Sequence, residues 1–240
     1  MPLALDIDRI RRAFPEHSIH YYSSIDSTMT AASDLPVGTV VLADEQTAGQ
    51  GRHGHIWHSA PGDGIYCSIV LPQTPLLTLA LGLATHTAIY EATGLVCDLR
   101  WPNDLMIGHR KVAGILVQAV GRNAIAGIGI NVNHTDFPSE VADLATSLRI
   151  AAGRPMMREE ILLALLPAID TLIAQGKPAI LDSFTHLSSY ASGLRVEVQQ
   201  PDGVVEGVTA GLNPDGFLIV RRDDGTDTLI IAGGVRAARS

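Results

Sequence analysis

The chain has 240 residues, 46% of them apolar and 18% charged, enough to fill one good core and a second, smaller one. Its formal net charge of -8 argues against duplex nucleic acid as the main partner, which would need clustered Lys and Arg, and neither end carries a basic arm. Cys67 and Cys97 lie in apolar runs without metal-type spacing and read as reduced core thiols. The first ten residues are charged and lack the apolar run of a signal peptide, so a cytoplasmic protein without a membrane partner is expected.

In chain order, Asp6 is placed to cap a short helix whose Ile7, Ile10 and Phe14 share a face, with Pro15 after its end. "SIHYYSSI" reads as a strand, Asp26 or Ser27 can cap a second short helix, and "GTVVLADEQ" reads as a buried strand. That strand delivers the chain into "QTAGQGRHGH", Gln46 to His55, whose Gly49-x-Gly51-x-x-Gly54 spacing is that of a dinucleotide fingerprint. A dinucleotide site also needs a helix directly after the loop and an acidic residue about 20 positions on. Here Pro61, Gly62 and Gly64 lead instead into the strand "IYCSIVLP", and no acid stands among Cys67 to Leu71. The dinucleotide reading fails, and the loop is read as a lid that closes over a ligand.

Leu76 to Gly94 is expected to be a buried helix, too short and too polar at Thr85, His86, Thr87 and Glu91 to span a membrane. Strands follow at "LVCDLRW", "KVAGILVQAV" and "AIAGIGINVN", with "WPNDLMIGHRK" connecting the first two. Helices are predicted over 142–152, 157–175 and 179–189, and Pro167 predicts a kink or break in the middle one. After Tyr190, "GLRVEVQ", "VVEGVTAGL", "FLIVRR" and "DTLIIAGGV" are short strands separated by the turn signals "PDG", "NPDG" and "DDG". This predicts a small SH3-like β domain over residues 191–240, after a catalytic domain over 1–190.

The chemistry sits in "RWPNDLMIGHRKVAGILV". Asp104 near Lys111 suits phosphate chemistry, the acid helping to hold Mg2+ and the lysine stabilising negative charge. "GIGINVN" adds Asn131 at a strand end. These motifs occur together with "DST" (Asp26 to Thr28), "EQTAGQGRHGHIWHS", "GIYCSIVLP" and a late "GGV". In that order they closely resemble the biotin protein ligases over nearly the whole chain. The resemblance implies an α+β fold: a mixed β-sheet flanked by helices, like that of the class II aminoacyl-tRNA synthetases, with a small C-terminal SH3-like β-barrel. It implies a two-step reaction in which biotin and MgATP give biotinyl-5'-adenylate and pyrophosphate, and a lysine of the biotin carboxyl carrier domain of acetyl-CoA carboxylase then attacks the adenylate. A homodimer through a sheet edge is a further expectation of the resemblance.

Residue by residue, the resemblance places Ser27, Thr28 and Gln46 on the ureido ring, a polar head that needs donors and acceptors when buried. Gln50, Gly51 and Gly114 complete the biotin side. Arg52 would screen the repulsion between carboxylate and α-phosphate, and Lys111 would contact the carboxylate and the bridging oxygen; these two are the catalytic pair. Trp57 falls beside the adenylate, Gly49, His55, Asn103 and Asn131 on the nucleotide side, and Asp104 on the magnesium. Taken singly, Ser27 is also a helix cap, Asp104 a turn former and Trp57 a core residue. The loop departs from the family's GRGRxGR, because Gln50 and His55 replace usual arginines, which weakens its phosphate contact or makes it pH-dependent. Met29 stands where Asn is common, and Gln118 where Glu commonly ends the strand. His53, His55 and His58 lack a nearby carboxylate or cysteine to complete a metal site. Fewer than thirty residues precede "DST", so the minimal type without a DNA-binding domain is expected.

Overall fold

The computed structural model describes residues 5–200 and 203–238. Seven strands form the main sheet: β1 (Ser18–Tyr22), β2 (Thr39–Ala43), β3 (Gly64–Pro72), β4 (Asp98–Arg100), β5 (Asp104–Ile107), β6 (Arg110–Val120) and β7 (Asn123–Asn131). Their order is β1-β2-β3-β7-β6-β5-β4, with β1 and β2 parallel and the other neighbours antiparallel. The helices are α1 (Ile7–Ala13), α2 (Thr28–Ala32), α3 (Leu77–Thr93), α4 (Leu148–Ala152), α5 (Arg158–Ile173) and α6 (Lys177–Leu187). Among the described residues no helix is long and apolar enough to cross a membrane.

The two faces of this sheet follow from sequence alternation, because successive strand side chains point to opposite sides. On one face Cys67 and Ile69 of β3, Ala126, Ile128 and Ile130 of β7 and Ile115 of β6 join the principal core, against which α3 and α5 also pack. On the other face α2 covers one end, where Met29, Ala32, Val41, Val70 and Ile125 make a small separate cluster. The rest of that face carries glycines and polar residues, and the site forms there. Complete burial of one such aliphatic side chain contributes roughly 1.5–3 kcal/mol, so the faces are not interchangeable.

Local signals behave largely as expected. The Asp6 carboxylate accepts from the Arg9 amide at 2.9 Å and caps α1, and Gly94 ends α3 in the left-handed region at φ 76. Ser27 occupies the cap position of α2, yet its hydroxyl makes no capping bond. Four expectations need correction. The segment read as a connection contains β5, a four-residue strand too short to show a period, joined to β6 by a tight turn at Gly108, φ 60. The helix expected over 142–152 is confined to Leu148–Ala152, because Ser147 caps it by accepting from the Ile150 amide at 3.0 Å. The residues just before are instead tied to β6: Lys111 donates its amide to the Leu144 carbonyl, and Thr146 donates to the Lys111 carbonyl. Third, of the kink or break expected at Pro167 the break does not occur: α5 runs continuously through it, since its packing against α3 outweighs one lost backbone bond.

The fourth correction concerns the C-terminal region, which has a fifth strand. β8 (Ser192–Gln200), β9 (Gly203–Leu212), β10 (Leu218–Arg221), β11 (Asp227–Ile230) and β12 (Val235–Ala237) form an antiparallel sheet in the order β11-β10-β9-β8-β12. This is the small SH3-like unit. Its buried Val196, Val198, Leu218, Val220 and Ile230 are continuous with the principal core. The Trp101 indole N–H donates across to the Gly216 carbonyl at 2.9 Å.

Candidate active site

On the open face of the main sheet, Ser68 and Tyr66 of β3 lie opposite Gly127 and Gly129 of β7, which in turn face Leu116 and Gly114 of β6. The three glycines leave a strip of bare backbone, and the side chains of Trp57 and Met29 from outside the sheet and of Lys111 from β6 lie directly on it. A Cβ at Gly129 would come within 2.5 Å of the Trp57 ring, and one at Gly114 within 2.8 Å of the Lys111 side chain and 3.0 Å of Trp57. A Cβ at Gly127 would meet the Met29 sulfur at 2.7 Å. Glycine is required at these positions by close approach rather than by backbone angle. Above the strip is a narrow cleft with about 50 Å³ of free space, much of its floor covered by the Trp57, Met29 and Lys111 side chains.

One end of the cleft is polar and neutral. The Gln46 side-chain oxygen accepts from the Thr28 amide at 2.9 Å and from the Thr28 hydroxyl at 3.0 Å, while its NH2 donates to Ser59 Oγ at 3.0 Å. Thr28 Oγ1 and Ser68 Oγ are 2.8 Å apart. Next to this chain, the Ser27 hydroxyl is buried with no hydrogen-bond partner among the described residues, an arrangement that costs free energy unless a ligand supplies one. Ser59 and Ser68 were not picked out from sequence. Ser68 was findable, as a polar residue within an otherwise apolar strand.

The other end is charged. Lys111 Nζ lies 2.5 Å from Asp104 Oδ1 and 5.1 Å from the centre of the Trp57 ring, a cation-π contact. The second Asp104 oxygen accepts from Arg100 Nη2 at 2.6 Å and Nε at 3.2 Å. Burial would raise the Asp104 carboxyl, but Lys111 and Arg100 overcome it and hold the group below its usual pKa. Arg52 Nη1 donates to Asn103 Oδ1 at 3.0 Å, and Asn103 Nδ2 donates to the Ile115 carbonyl at 2.8 Å, so Asn103 braces the arginine on β6. Burial lowers the Arg52 guanidinium from its usual value and the charge of Asp104 opposes this; the group stays ionised at neutral pH.

The glycine loop forms a small hairpin between these ends. Gly51 donates to the His55 carbonyl at 2.7 Å, Trp57 donates to Gly49 at 2.9 Å, and a single turn of 3-10 helix spans Arg52–Gly54. His53 and Gly54 both adopt positive φ. A Cβ at Gly49 would meet the Trp57 carbonyl at 2.6 Å, so this glycine lets the hairpin close.

Of the residues singled out from sequence, Thr28, Gln46, Gln50, Gly51, Arg52, Trp57, Asn103, Lys111 and Gly114 line the cleft together. Ser27, Gly49, His55, Asp104 and Asn131 do not. His55 is exposed, and Asn131 is buried with its NH2 donating to the Thr146 carbonyl at 3.0 Å, which anchors the segment beside Lys111. Asp104 has both oxygens engaged by cations, and among the described residues no three His, Cys, Asp or Glu side chains gather as metal ligands. The residues present therefore do not fit a resident magnesium at Asp104.

The sequence matches the Biotin/lipoate A/B protein ligase family over residues 21–134 and the Biotin protein ligase C terminal domain over 191–235. The Bifunctional ligase/repressor BirA of Bacillus subtilis is 34% identical over 85% of this chain and 70% of its own length. The Biotin--[acetyl-CoA-carboxylase] ligase of Mycobacterium tuberculosis is 30% identical over 88% of this chain and 84% of its own. A structure of the Aquifex aeolicus biotin protein ligase in complex with biotin and ATP matches with a TM-score of 0.83 and 30% identity, over 93% of this chain and 99% of that one. A mixed sheet bearing a glycine-floored cleft, a small C-terminal β unit and these relatives lead to one conclusion: the chain belongs to the biotin/lipoate A/B protein ligase family.

Proposed function

We infer that the protein is a biotin protein ligase, which activates biotin with ATP to biotinyl-5'-AMP and transfers the biotinyl group to a lysine of a biotin carboxyl carrier protein. The observation that carries this reading is the polarity of the cleft, with neutral hydrogen-bonding groups at one end of a glycine strip and two cations at the other. A ureido head needs the first and a carboxylate meeting a phosphate needs the second.

In this reading Thr28 and Gln46, with the unpartnered Ser27 hydroxyl, take the ureido group. A biotin carboxylate oxygen attacks the α-phosphorus and pyrophosphate leaves; the carrier lysine amine then attacks the acyl carbon and AMP leaves. Lys111 and Arg52 act as fixed cations beside the charge that builds on the α-phosphate, and such groups favour the transition state over the ground state. Asn103 positions Arg52, and Trp57 lies against the adenylate. Gln50 and Gly51 belong to the biotin side, while Gly49, His55 and Asn131 support the nucleotide side. Magnesium enters as part of MgATP.

For the partner, a wider groove of about 390 Å³ meets the cleft at Arg52 and runs between Trp101-Pro102, Leu76 and Asp215–Phe217. We assign it to the approach of the carrier lysine. Leu116–Val120 of β6 pair with β7 on one side, whereas β5 reaches only Gly114, and this open edge supports the sheet-edge dimer. The division at residues 190 and 191 and a cytoplasmic role without DNA complete the proposal, and the acidic net charge supports the last point. The test is ATP-pyrophosphate exchange with biotin, lipoate and octanoate compared. Biotin-dependent exchange is expected, and exchange with lipoate alone would sink the assignment.

A further inference from the structure

We propose that Met29 determines ligand specificity by setting the width of the cleft at its polar end, so that only an acid with a compact ring head seats against Thr28 and Gln46. This rests on the ligase reading above. Met29 follows directly on Thr28 and lines the cleft. It is 5% exposed, and its neighbours Ala32, Val41, Val70 and Ile125 hold it in the small cluster beneath α2. Anchored there, its thioether lies flat on the bare backbone of Gly127, 2.7 Å from where a Cβ would stand. Ser68, which bonds Thr28, is directly across from Gly127 on β3. The sulfur and the hydrogen-bonding groups therefore border the same end of the slot. Trp57 covers the remaining strip at Gly114 and Gly129, which leaves Met29, with Leu116 beside Gly127 on β6, as the apolar boundary at the ring end.

A thioether adapts its shape easily, but it cannot retreat into a packed cluster. Anything that lifts Met29 from Gly127 must narrow the slot. The plain alternative is that Met29 only fills core, and the two roles differ in what they change: a core role moves stability, a boundary role moves biotin KM.

The experiment is a double-mutant cycle read by biotin-dependent exchange. Gly127→Ala is expected to raise biotin KM at least about tenfold, since one methyl group in a close-fitting apolar pocket has an effect of that size, while ATP KM stays within about twofold. Met29→Ala/Gly127→Ala is expected to recover most of that loss, and Met29→Leu to remain near wild type. An unchanged biotin KM in Gly127→Ala, or a double variant no better than the single, would overturn the proposal. Should Gly127→Ala not fold, Met29→Phe carries the test on an unaltered backbone: a raised biotin KM supports the role and an unchanged one refutes it. Wild-type exchange with biotin is measured first. Its absence would refute the ligase reading itself, whereas a working wild type with an additive cycle would refute only the role of Met29.

Discussion

The two ends of the cleft are stabilised in opposite ways. At the polar end the side chains satisfy one another, Thr28 with Gln46 and Ser68, and Gln46 with Ser59, so the receptor surface is assembled before any ligand arrives. At the charged end Lys111 is held by Asp104, and Asp104 by Arg100, so an arriving anion competes with a built-in one. In the proposed reaction the first arrangement would favour selection of the ring, and the second would keep a cation in place without burying it unpaired until charge develops on the phosphate.

The sharpest way to break this contrast is Lys111→Ala. Exchange should fall on the order of a hundredfold or more, with biotin affinity far less affected, because the lost cation acts on the developing charge. Asp104 keeps Arg100, so the melting temperature should change little. Near-normal exchange, or an unfolded variant, would show that the charged end has been misread. Gln46→Leu tests the opposite end. It leaves the Thr28 amide without its acceptor, and biotin KM should rise by roughly tenfold, the cost of about one or two hydrogen bonds, with kcat nearly unchanged. A fall in kcat at constant KM would contradict the assignment of the polar end to binding.

A smaller effect is expected at the loop joining the ends. Tryptic cleavage after Arg52 should slow several-fold when biotin and ATP are both present, as a mobile closed loop is protected in proportion to its ordering. Equal rates would count against a lid. A stability effect, apart from the activity, is expected behind the cleft. His134 is buried against Tyr66, 3.3 Å from its hydroxyl, and stacks on Phe137. Burial, helped by the charge of His58 and opposed by Asp136, pushes its pKa down to about 4. A depressed histidine means that the unfolded chain takes up the proton first. Stability is therefore full above about pH 6.5 and declines as the pH falls toward 4. Melting curves of wild type and His134→Gln should converge in shape over that window if His134 is not the cause.

Much of this was legible in the sequence, for identifiable reasons. "AIAGIGIN" announces a strand with one apolar face and one bare face, and Pro61, Gly62 and Gly64 after the glycine loop rule out a dinucleotide helix. What stayed hidden depended on which side chains the folded strands bring together. Arg100 and Lys111 stand close to Asp104 in the chain, yet their spacing does not reveal that they occupy both of its oxygens, nor does the sequence show that Asn131 is spent on the Thr146 carbonyl. The helix expected over 142–152 was shortened by a similar distant tie, the backbone bonds that Leu144 and Thr146 make with Lys111.

The glycine strip has a consequence for how such a site is mapped. Alanine scanning usually works by subtraction, stripping a side chain to its stub. Along Gly114, Gly127 and Gly129 the same substitution is an addition, a methyl group pressed against Lys111, Met29 or Trp57. In this part of the molecule the smallest residue change available is therefore the most disruptive, and a scan that skips glycines would pass over the floor of the site without detecting it.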